Sequence, residues 1–234
     1  MTRERPPDEL RPVRIHVGYT DMTPGSVLVE MGRTRVLCTA VVEQEVPRWM
    51  RDSGRGWVTA EYGMLPGSSP ERVRRDAYTK GRAQEISRLI GRSLRAVCDL
   101  EAMGEVMVRV DCDVLQADGG TRTAAVTGAW VALWYACVDA VESGVLARNP
   151  VLDQVAGVSV GVVDGVVLMD LDYEDDVAAQ VDMNVVMSGS GGLIEIQGTA
   201  ETRPFSRAQL DEMLDLAAGG IVELVDAQRR ATFG

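Results

Sequence analysis

The chain has 234 residues, 46% of them hydrophobic, which is enough for one large domain or two small ones with a substantial buried core. The N-terminus is charged and Pro-rich, and no apolar run approaches the roughly 18 residues that a membrane span needs, so nothing predicts export or membrane insertion. The net charge of −11 argues against a nucleic-acid partner unless the basic residues are clustered.

The cysteines are widely spaced, contain no Cys-x-x-Cys pair and lie in apolar segments. They are Cys38, Cys98, Cys112 and Cys137. This pattern favours reduced core thiols over a zinc site or a disulfide framework. It therefore predicts a protein of the cytoplasm.

The first strands are expected at residues 26–32 and 34–46, where two runs rich in β-branched residues meet in a hairpin turn at Gly32-Arg33. Residues 47–70 are rich in Gly, Pro and Ser, which indicates long loops around one short ordered piece. Long loops inside a compact domain are usually functional or interfacial.

An amphipathic helix is predicted at about 82–99, because apolar residues recur at helical spacing while arginines occupy other parts of the helix surface. Strict alternation over 106–114 then predicts a strand with one buried face, which ends in a turn at 117–120. A second helix, at about 121–142, is apolar around most of its circumference and should be largely buried.

The last third of the chain predicts two hairpins and a closing helix. The expected strands are, in pairs, 155–163 with 166–171 and 183–187 with 193–197. The final helix begins near Ser206, a predicted N-cap, and Gln209 completes its capping box. This order of elements predicts a single α+β domain over residues 1–234, with mixed β-sheets packed against helices.

The charges are unevenly distributed along the chain. Residues 71–95 contain eight basic and three acidic residues, a local charge of +5, whereas residues 170–182 contain six acidic residues and no Lys or Arg. Such a chain can hold an anion in one place and a cation in another, although a solvated helix face and an acidic loop would give the same pattern. The arginines of the basic segment include Arg72, Arg74, Arg75, Arg92 and Arg95.

A possible anion site lies where the second predicted helix begins, in the sequence Asp-Gly-Gly-Thr-Arg-Thr at 118–123. Unpaired N–H groups and the positive end of the helix dipole would point into this turn, and helix N-termini of this kind bind phosphate. Gly120 and Thr121 would supply donors, and Arg122 would add a bidentate fork. A plain Gly turn with a capping Thr and a surface Arg would explain the same residues.

Three charged residues could complete such a site. Arg82 stands at the start of the first predicted helix, where a second oxyanion contact would fit, although it could be one more surface Arg. Asp176 and Asp182 flank a short uncharged stretch, and carboxylates near a phosphate site commonly hold Mg²⁺ or supply a general acid. Solvated loop carboxylates are the alternative.

Other catalytic classes find little support. His16 is the only histidine and no nucleophile-elbow motif accompanies it, so a structural role is expected for it. The sequence contains neither a P-loop nor a dinucleotide-binding glycine motif. A nucleotide-binding α/β enzyme would rest on the Gly119-Gly120 turn alone and would leave the acidic cluster unexplained.

Several longer motifs resemble the ribonuclease PH family. They are Leu-Arg-Pro-Val at 10–13, Gly-Trp-Val-Thr-Ala-Glu-Tyr-Gly-Met-Leu-Pro at 56–66, Glu-Ile-Ser-Arg-Leu-Ile-Gly-Arg-Ser-Leu-Arg-Ala at 85–96, the segment 111–123, Asp-Met-Asn-Val-Val-Met at 182–187 and Gln-Gly-Thr-Ala-Glu at 197–201. The resemblance spans almost the whole chain in the family's order. It implies the fold of polynucleotide phosphorylase domains and exosome ring subunits, of the ribosomal protein S5 domain 2 type.

The resemblance also implies a function and the residues that perform it. The expected activity is phosphate-dependent 3′-to-5′ trimming of RNA, chiefly tRNA precursors with 3′ extensions, by a homohexamer built as a trimer of dimers. The phosphate-binding residues would be Arg82, Gly120, Thr121 and Arg122, with inorganic phosphate as co-substrate. Asp176 and Asp182 would be the catalytic carboxylates and the ligands of Mg²⁺. The candidate RNA-binding residues would be Arg72, Arg74, Arg75, Arg92 and Arg95. The alternative is a catalytically silent, RNA-binding subunit of an exosome-like ring.

Overall fold

The computed structural model describes residues 3, 5–74 and 81–234. Its strands are β1 Val13–Val17, β2 Gly25–Met31, β3 Thr34–Glu43, β4 Trp57–Met64, β5 Met107–Gln116, β6 Val155–Val163, β7 Val166–Met169, β8 Val181–Ser188 and β9 Leu193–Ala200. Its helices are α1 Arg82–Ala96, α2 Thr121–Glu142, α3 Tyr173–Ala178 and α4 Arg207–Phe233, with a 3₁₀ turn at Arg48–Met50.

The strands form two β-sheets that pack against helices, which confirms the α+β class. The first sheet has the order β1-β2-β3-β5-β4, and the second has the order β7-β6-β8-β9. In the first sheet β4 runs parallel to β5, and α1 makes the crossover between these two strands. The other strand pairs are antiparallel.

Helix α2 lies between the sheets and packs against β2 and β3 on one side and β6 on the other. This position explains why its sequence is apolar around most of its circumference. Gly128 allows the close approach, because a Cβ there would lie 2.8 Å from Cys38 Sγ and from Val29 Cγ1. Trp130 is fully buried, and its indole N–H donates to the carbonyl of Asp153 at 2.8 Å. Side chains of both sheets therefore share one continuous core around α2.

By length and composition α2 could span a membrane, contrary to the expectation that no apolar run comes near that size. The structure gives the physical reason for its composition, since 72% of the apolar stretch is buried inside the protein. A core helix contacted from both sides needs apolar residues on every face.

Two elements were not expected from the sequence. β1 pairs with β2 at the edge of the first sheet, and α3 occupies part of the acidic segment, for which the sequence left a solvated loop as one alternative. α3 forms because Asp172 caps it, accepting hydrogen bonds from the N–H groups of Glu174 and Asp175, both at 3.0 Å. Acidic side chains in its first turn also interact favourably with the helix dipole.

Several local predictions are confirmed. Ser206 caps α4 and forms the complete capping box with Gln209. The turn at Gly32-Arg33 lies between the strands that it was expected to join, and the expected hairpin of 155–163 with 166–171 forms around Asp164-Gly165. The structure places α1 at 82–96 rather than 82–99, and β3 ends at Glu43 rather than at residue 46. All four cysteines are free thiols; three are buried and Cys98 is partly buried.

Candidate active site

A cavity of about 250 Å³ opens where the start of α1, the turn before α2 and the α3–β8 segment meet. All six residues predicted for phosphate binding and catalysis line it. They are Arg82, Gly120, Thr121, Arg122, Asp176 and Asp182. The fold thus brings together three segments that are far apart in the sequence, with the arginines and the carboxylates around one space.

The turn before α2 has the geometry expected of an anion site. Gly119 and Gly120 have φ angles of +75° and +63°, which favour glycine, and Gly120 is the N-cap without a side-chain cap. The 22-residue helix α2 thus begins at the cavity wall. Its first N–H groups and the positive end of its dipole are available to a ligand there. Thr121 Oγ1 lies 2.8 Å from the hydroxyl of Tyr62. Burial raises the pKa of that tyrosine, so its hydroxyl keeps its proton and can donate a hydrogen bond.

Gly119 also packs directly against the segment that leads to α3. A Cβ at this position would lie 2.5 Å from the backbone carbonyl carbon of Asp172 and closer still to the carbonyl oxygen of Leu171. The turn and the acidic segment are therefore in backbone contact. Their spacing fixes how far the donors predicted to bind phosphate lie from the carboxylates.

We expect Gly119→Ala to lower the free energy of unfolding by about 2 to 5 kcal/mol, because it combines a left-handed backbone with overpacking. Gly144→Ala is the matched control. Gly144 has a φ of +78°, but a Cβ there would meet no atom within 4 Å, so the backbone cost alone, about 1 to 2 kcal/mol, should remain. Urea denaturation measures both losses. Equal losses in the two variants would contradict the close contact of the turn with the acidic segment.

Arg122 is held at the cavity wall by two side chains that the sequence analysis did not single out. Its Nη1 donates to Glu85 Oε1 at 3.1 Å and to Gln197 Oε1 at 2.7 Å, and its side chain is 14% exposed. Gln197 Nε2 donates in turn to Glu85 Oε1 at 3.0 Å. These contacts use one nitrogen of a group with five N–H donors, so the fork keeps donors for a ligand.

Arg82 is the first residue of α1 and reaches the same cavity. Burial raises the pKa values of Asp176 and Asp182, and the charges of Arg82 and Arg122 partly oppose this increase, so both guanidinium groups lie within electrostatic range of the carboxyl groups. The basic side of the cavity therefore contains two arginines and a helix N-terminus.

The acidic side contains Asp176 on α3 and Asp182 on β8. Burial raises the pKa of Asp182 to about 6, and the nearby charge of Asp176 adds to the increase despite the two arginines. Burial also raises the pKa of Asp176. Two half-buried carboxylates with raised pKa values are suited to hold a proton or a cation near neutral pH.

The donor set fits Mg²⁺. This ion is commonly bound by one or two carboxylates together with the phosphates of a substrate, and Asn184 adds an amide to the lining near Asp182. Among the residues that the structure describes, no group of three or more His, Cys, Asp and Glu residues forms a closed metal site. A dedicated protein cage for a metal ion is therefore not present in that part of the chain.

Four further polar residues of the cavity wall were not predicted from the sequence: Ser69, Ser159, Tyr173 and Asn184. Asn184 follows Asp182 by two residues on β8, so strand alternation puts the two side chains on one face, and this signal was available. Tyr173 begins α3 and is 57% exposed at the cavity. Only the fold brings Ser159 of β6 beside them.

The candidate RNA-binding arginines have different environments. Arg72 and Arg74 are exposed, and Arg75 lies outside the described residues. Arg92 binds Glu195 through two nitrogens, the shortest distance being 2.7 Å, and Arg95 lies 4.2 Å over the ring of Trp57 while donating to the carbonyl of Val58. Arg92 and Arg95 are engaged inside the chain, and the RNA-binding role of all five arginines stays a prediction.

His16 and the acidic residues of β5 have other surroundings. His16 Nε2 lies 3.0 Å from Glu30 Oε2 on the neighbouring strand, which agrees with a structural role. Asp111 and Asp113 lie on the half-exposed face of β5, and burial raises the pKa of each. They are not among the residues that line the cavity.

Comparison with known proteins gives two family matches. Residues 9–139 match the model of domain 1 of the 3′ exoribonuclease family, and residues 153–220 match the model of domain 2. The turn before α2 lies in the first matched region, and both carboxylates lie in the second.

The similar proteins include curated relatives named ribonuclease PH. The one from Synechococcus sp. (strain CC9605) is 55% identical over 231 residues, which covers 98% of this chain and 94% of the relative. The one from Corynebacterium efficiens is 58% identical over 230 residues, which covers 97% and 94%.

Solved structures share the fold at lower sequence identity. A chain of the Archaeoglobus fulgidus exosome with RNA bound to the active site has a TM-score of 0.82 at 22% identity, covering 98% of this chain and 91% of that one. A chain of an archaeal exosome core has a TM-score of 0.78 at 21% identity, covering 96% and 89%. With two family models matching most of its length and relatives above half identity, the chain belongs to the 3′ exoribonuclease family.

Proposed function

We propose that the chain is a phosphate-dependent 3′-to-5′ exoribonuclease that releases nucleoside diphosphates. The observation that carries this proposal is the single cavity in which Arg82, Arg122 and the N-terminus of α2 face Asp176 and Asp182. The ribonuclease PH relatives at 55% and 58% identity support the same activity.

Inorganic phosphate is the nucleophile in the proposed reaction. Arg82, the N–H groups at Gly120 and Thr121, and Arg122 hold it, and one of its oxygens forms a bond to the phosphorus of the terminal phosphodiester. The bond from that phosphorus to the O3′ of the preceding nucleotide breaks in line, which releases a nucleoside 5′-diphosphate and an RNA shorter by one nucleotide. Positioning and charge neutralisation supply most of the rate in such a transfer, so the site needs no covalent nucleophile.

The leaving O3′ atom needs a proton, and Asp182 is the group proposed to supply it. A carboxyl group with a pKa of about 6 holds a proton more readily near neutral pH than an ordinary aspartate does. Asp176 assists through its charge, because it raises the pKa of Asp182. In this proposal Asp182 is the general acid, and Asp176 helps to keep the pKa of Asp182 raised.

Asp176 and Asp182 are also the residues that would hold Mg²⁺. When bound, the ion would neutralise negative charge on the substrate phosphates. A bound cation would lower the pKa values of these carboxyl groups, so a carboxylate that holds the ion would not carry the proton at the same time.

Membership of the family is the basis for proposing a particular class of RNA substrate and a particular assembly. We propose tRNA precursors with 3′ extensions as the main RNAs, and a homohexamer built as a trimer of dimers as the working assembly. Arg72 and Arg74 are exposed and are proposed to contact RNA. Among the candidate arginines they are closest in the sequence to residues that line the cavity. The free thiols support a location in the cytoplasm.

The alternative of a silent ring subunit is disfavoured by the same cavity. A subunit that only binds RNA has no need for two arginines, an open helix N-terminus and two carboxylates with raised pKa values around one space. The likeness to exosome chains concerns the fold and does not favour that alternative.

The test is an RNA with a 3′ extension incubated with the purified protein, Mg²⁺ and phosphate. We expect the RNA to shorten from its 3′ end only when phosphate is present, with nucleoside diphosphates as the products on ion-exchange chromatography. Release of monophosphates at the same rate without phosphate would contradict the proposal.

A further inference from the structure

Arg11 forms a buried ion pair behind the phosphate-binding turn. Its Nε and Nη2 donate to the two carboxylate oxygens of Asp170 at 2.9 and 2.7 Å, and its backbone N–H donates to Asp170 Oδ2 at 2.8 Å. Arg11 is 7% exposed and Asp170 is fully buried. A bidentate pair of this kind is rigid as well as strong.

The same guanidinium also binds the turn itself. Arg11 Nη1 donates to the carbonyl of Asp118, and Nη2 donates to the carbonyl of Gly119 at 3.4 Å. Thr34 Oγ1 donates to the Gly119 carbonyl as well, at 2.6 Å. Two successive carbonyl groups of the turn are therefore held by Arg11 and Thr34, neither of which lines the cavity.

The planarity of the peptide bond turns this contact into an orientation. In a trans peptide the C=O and the following N–H point in opposite directions, and the described chain has no cis peptide bond. Holding the carbonyls of Asp118 and Gly119 on Arg11 thus directs the N–H groups of Gly119 and Gly120 to the opposite side. Both glycines line the cavity on that side.

Asp170 connects this arrangement to the acidic segment. It has a φ of +55°, a costly conformation for a residue with a side chain, and its N–H donates to the Ser159 carbonyl at 2.6 Å. It precedes Asp176 by six residues, and the N–H of Leu171 is held by Ser159 Oγ at 3.0 Å. The ion pair therefore joins the turn that offers donors to the segment that carries the carboxylate.

We propose that Arg11 and Asp170 are positioning residues for the attacking phosphate. They aim the N–H groups of Gly119 and Gly120 into the cavity and fix the turn relative to the acidic segment. This inference rests on the proposed function, since it assigns the orientation of the same phosphate site.

The test compares the double variant Arg11→Gln/Asp170→Asn with the wild-type protein. The two amides remove both charges of the pair, and Arg5, which lies 3.6 Å from Asp170, keeps Asp175 as a partner at 3.6 Å. The amides cannot hold both carbonyls and a carboxylate at once. We expect the KM for phosphate to rise about 10-fold or more, as for the loss of aimed donors to an anion, while kcat at saturating phosphate and the KM for RNA change less than about threefold.

Arg11→Lys separates positioning from folding. This variant keeps a positive charge against Asp170, so its melting temperature should be close to that of the wild-type protein. A single ammonium group cannot replace the planar fork, so the KM for phosphate should be raised as in the double variant. If the double variant does not fold, Arg11→Lys decides the question by the same measurement. The matched control is Arg148→Gln/Asp99→Asn, which removes an Arg–Asp pair at 2.6 Å beyond the opposite end of α1 and should leave the KM for phosphate unchanged.

Calorimetric titration of inorganic phosphate into the protein without RNA keeps this inference distinct from the proposed function. Wild-type protein that binds phosphate but does not shorten RNA would overturn the proposed function, whereas tenfold weaker binding by the folded variants would still support positioning. Unchanged phosphate affinity in the folded double variant, or in Arg11→Lys if that variant decides, would overturn the role of the ion pair. Wild-type protein that binds no phosphate would overturn it too.

Discussion

Asp182→Asn should lower kcat for phosphorolysis by about 100- to 10,000-fold, the range expected when a general acid is lost. The amide has the shape of the carboxyl group but cannot release a proton to the leaving O3′ atom. The KM for phosphate should change little, because Asp182 is not one of the groups proposed to donate to phosphate. Single-turnover rates at saturating phosphate measure the chemical step, and a variant with more than a tenth of the wild-type rate would contradict the role of Asp182.

The same variant should be more stable than the wild-type protein at neutral pH. The pKa of Asp182 is raised from 3.8 to about 6 in the folded protein, so its ionised form is disfavoured by folding and the stability falls as the pH rises from about 4 to 6. Removing the charge should therefore increase the free energy of unfolding at pH 7.5 by on the order of 1 to 2 kcal/mol, with the gain disappearing near pH 4.

Guanidinium denaturation at the two pH values checks this expectation. Asp226→Asn, on the exposed surface of α4, is the matched control and should show no such pH-dependent gain. An inactive but more stable Asp182→Asn protein would separate lost chemistry from lost folding. A variant that is less stable at pH 7.5 than at pH 4, relative to wild type, would contradict the burial of this carboxyl group.

Arg122→Ala is expected to raise the KM for phosphate by about 10- to 100-fold, because a charge-assisted donor to an anion is worth about 1.5 to 3 kcal/mol. The guanidinium is already ordered by Glu85 and Gln197, so little conformational entropy is lost when phosphate binds. Arg122→Lys should recover part of the affinity through its charge but not the bidentate geometry.

Initial rates over a range of phosphate concentrations give the KM directly. Arg207→Ala removes an exposed arginine that pairs with Asp211 on α4 and serves as the control. The KM for RNA should be similar in all these proteins. Phosphate dependence that is the same in Arg122→Ala and in wild type would refute the contact between Arg122 and the attacking phosphate.

Local periodicity accounts for the parts of the fold that could be predicted. The alternation along β5 and the helical spacing in α1 each depend on residues within a few positions of one another. The capping box of α4 is also a local signal, formed by Ser206 and Gln209. The six cavity residues were found because the family resemblance supplied the long-range information that periodicity lacks.

The missed features depend on contacts between distant segments. Arg11 and Asp170 are 159 positions apart, and Gln197 meets Glu85 across 112 positions. No local pattern marks such pairs, because each residue alone is compatible with an exposed position. β1 is short and half-exposed at the sheet edge, so its sequence lacks a continuous apolar face. For α3 a signal existed, since Asp172 precedes three acidic residues in the first turn, but the high local charge favours a loop.

The most direct test of the account is the fate of labelled phosphate. When phosphate carrying four ¹⁸O atoms attacks the terminal phosphodiester, all four oxygens enter the nucleoside diphosphate as its β-phosphoryl group and the bridging atom. Mass spectrometry of the released nucleotides should therefore show diphosphates heavier by four ¹⁸O labels. Unlabelled nucleoside monophosphates, the products of attack by water, would contradict the central claim that phosphate held at the N-terminus of α2 is the nucleophile.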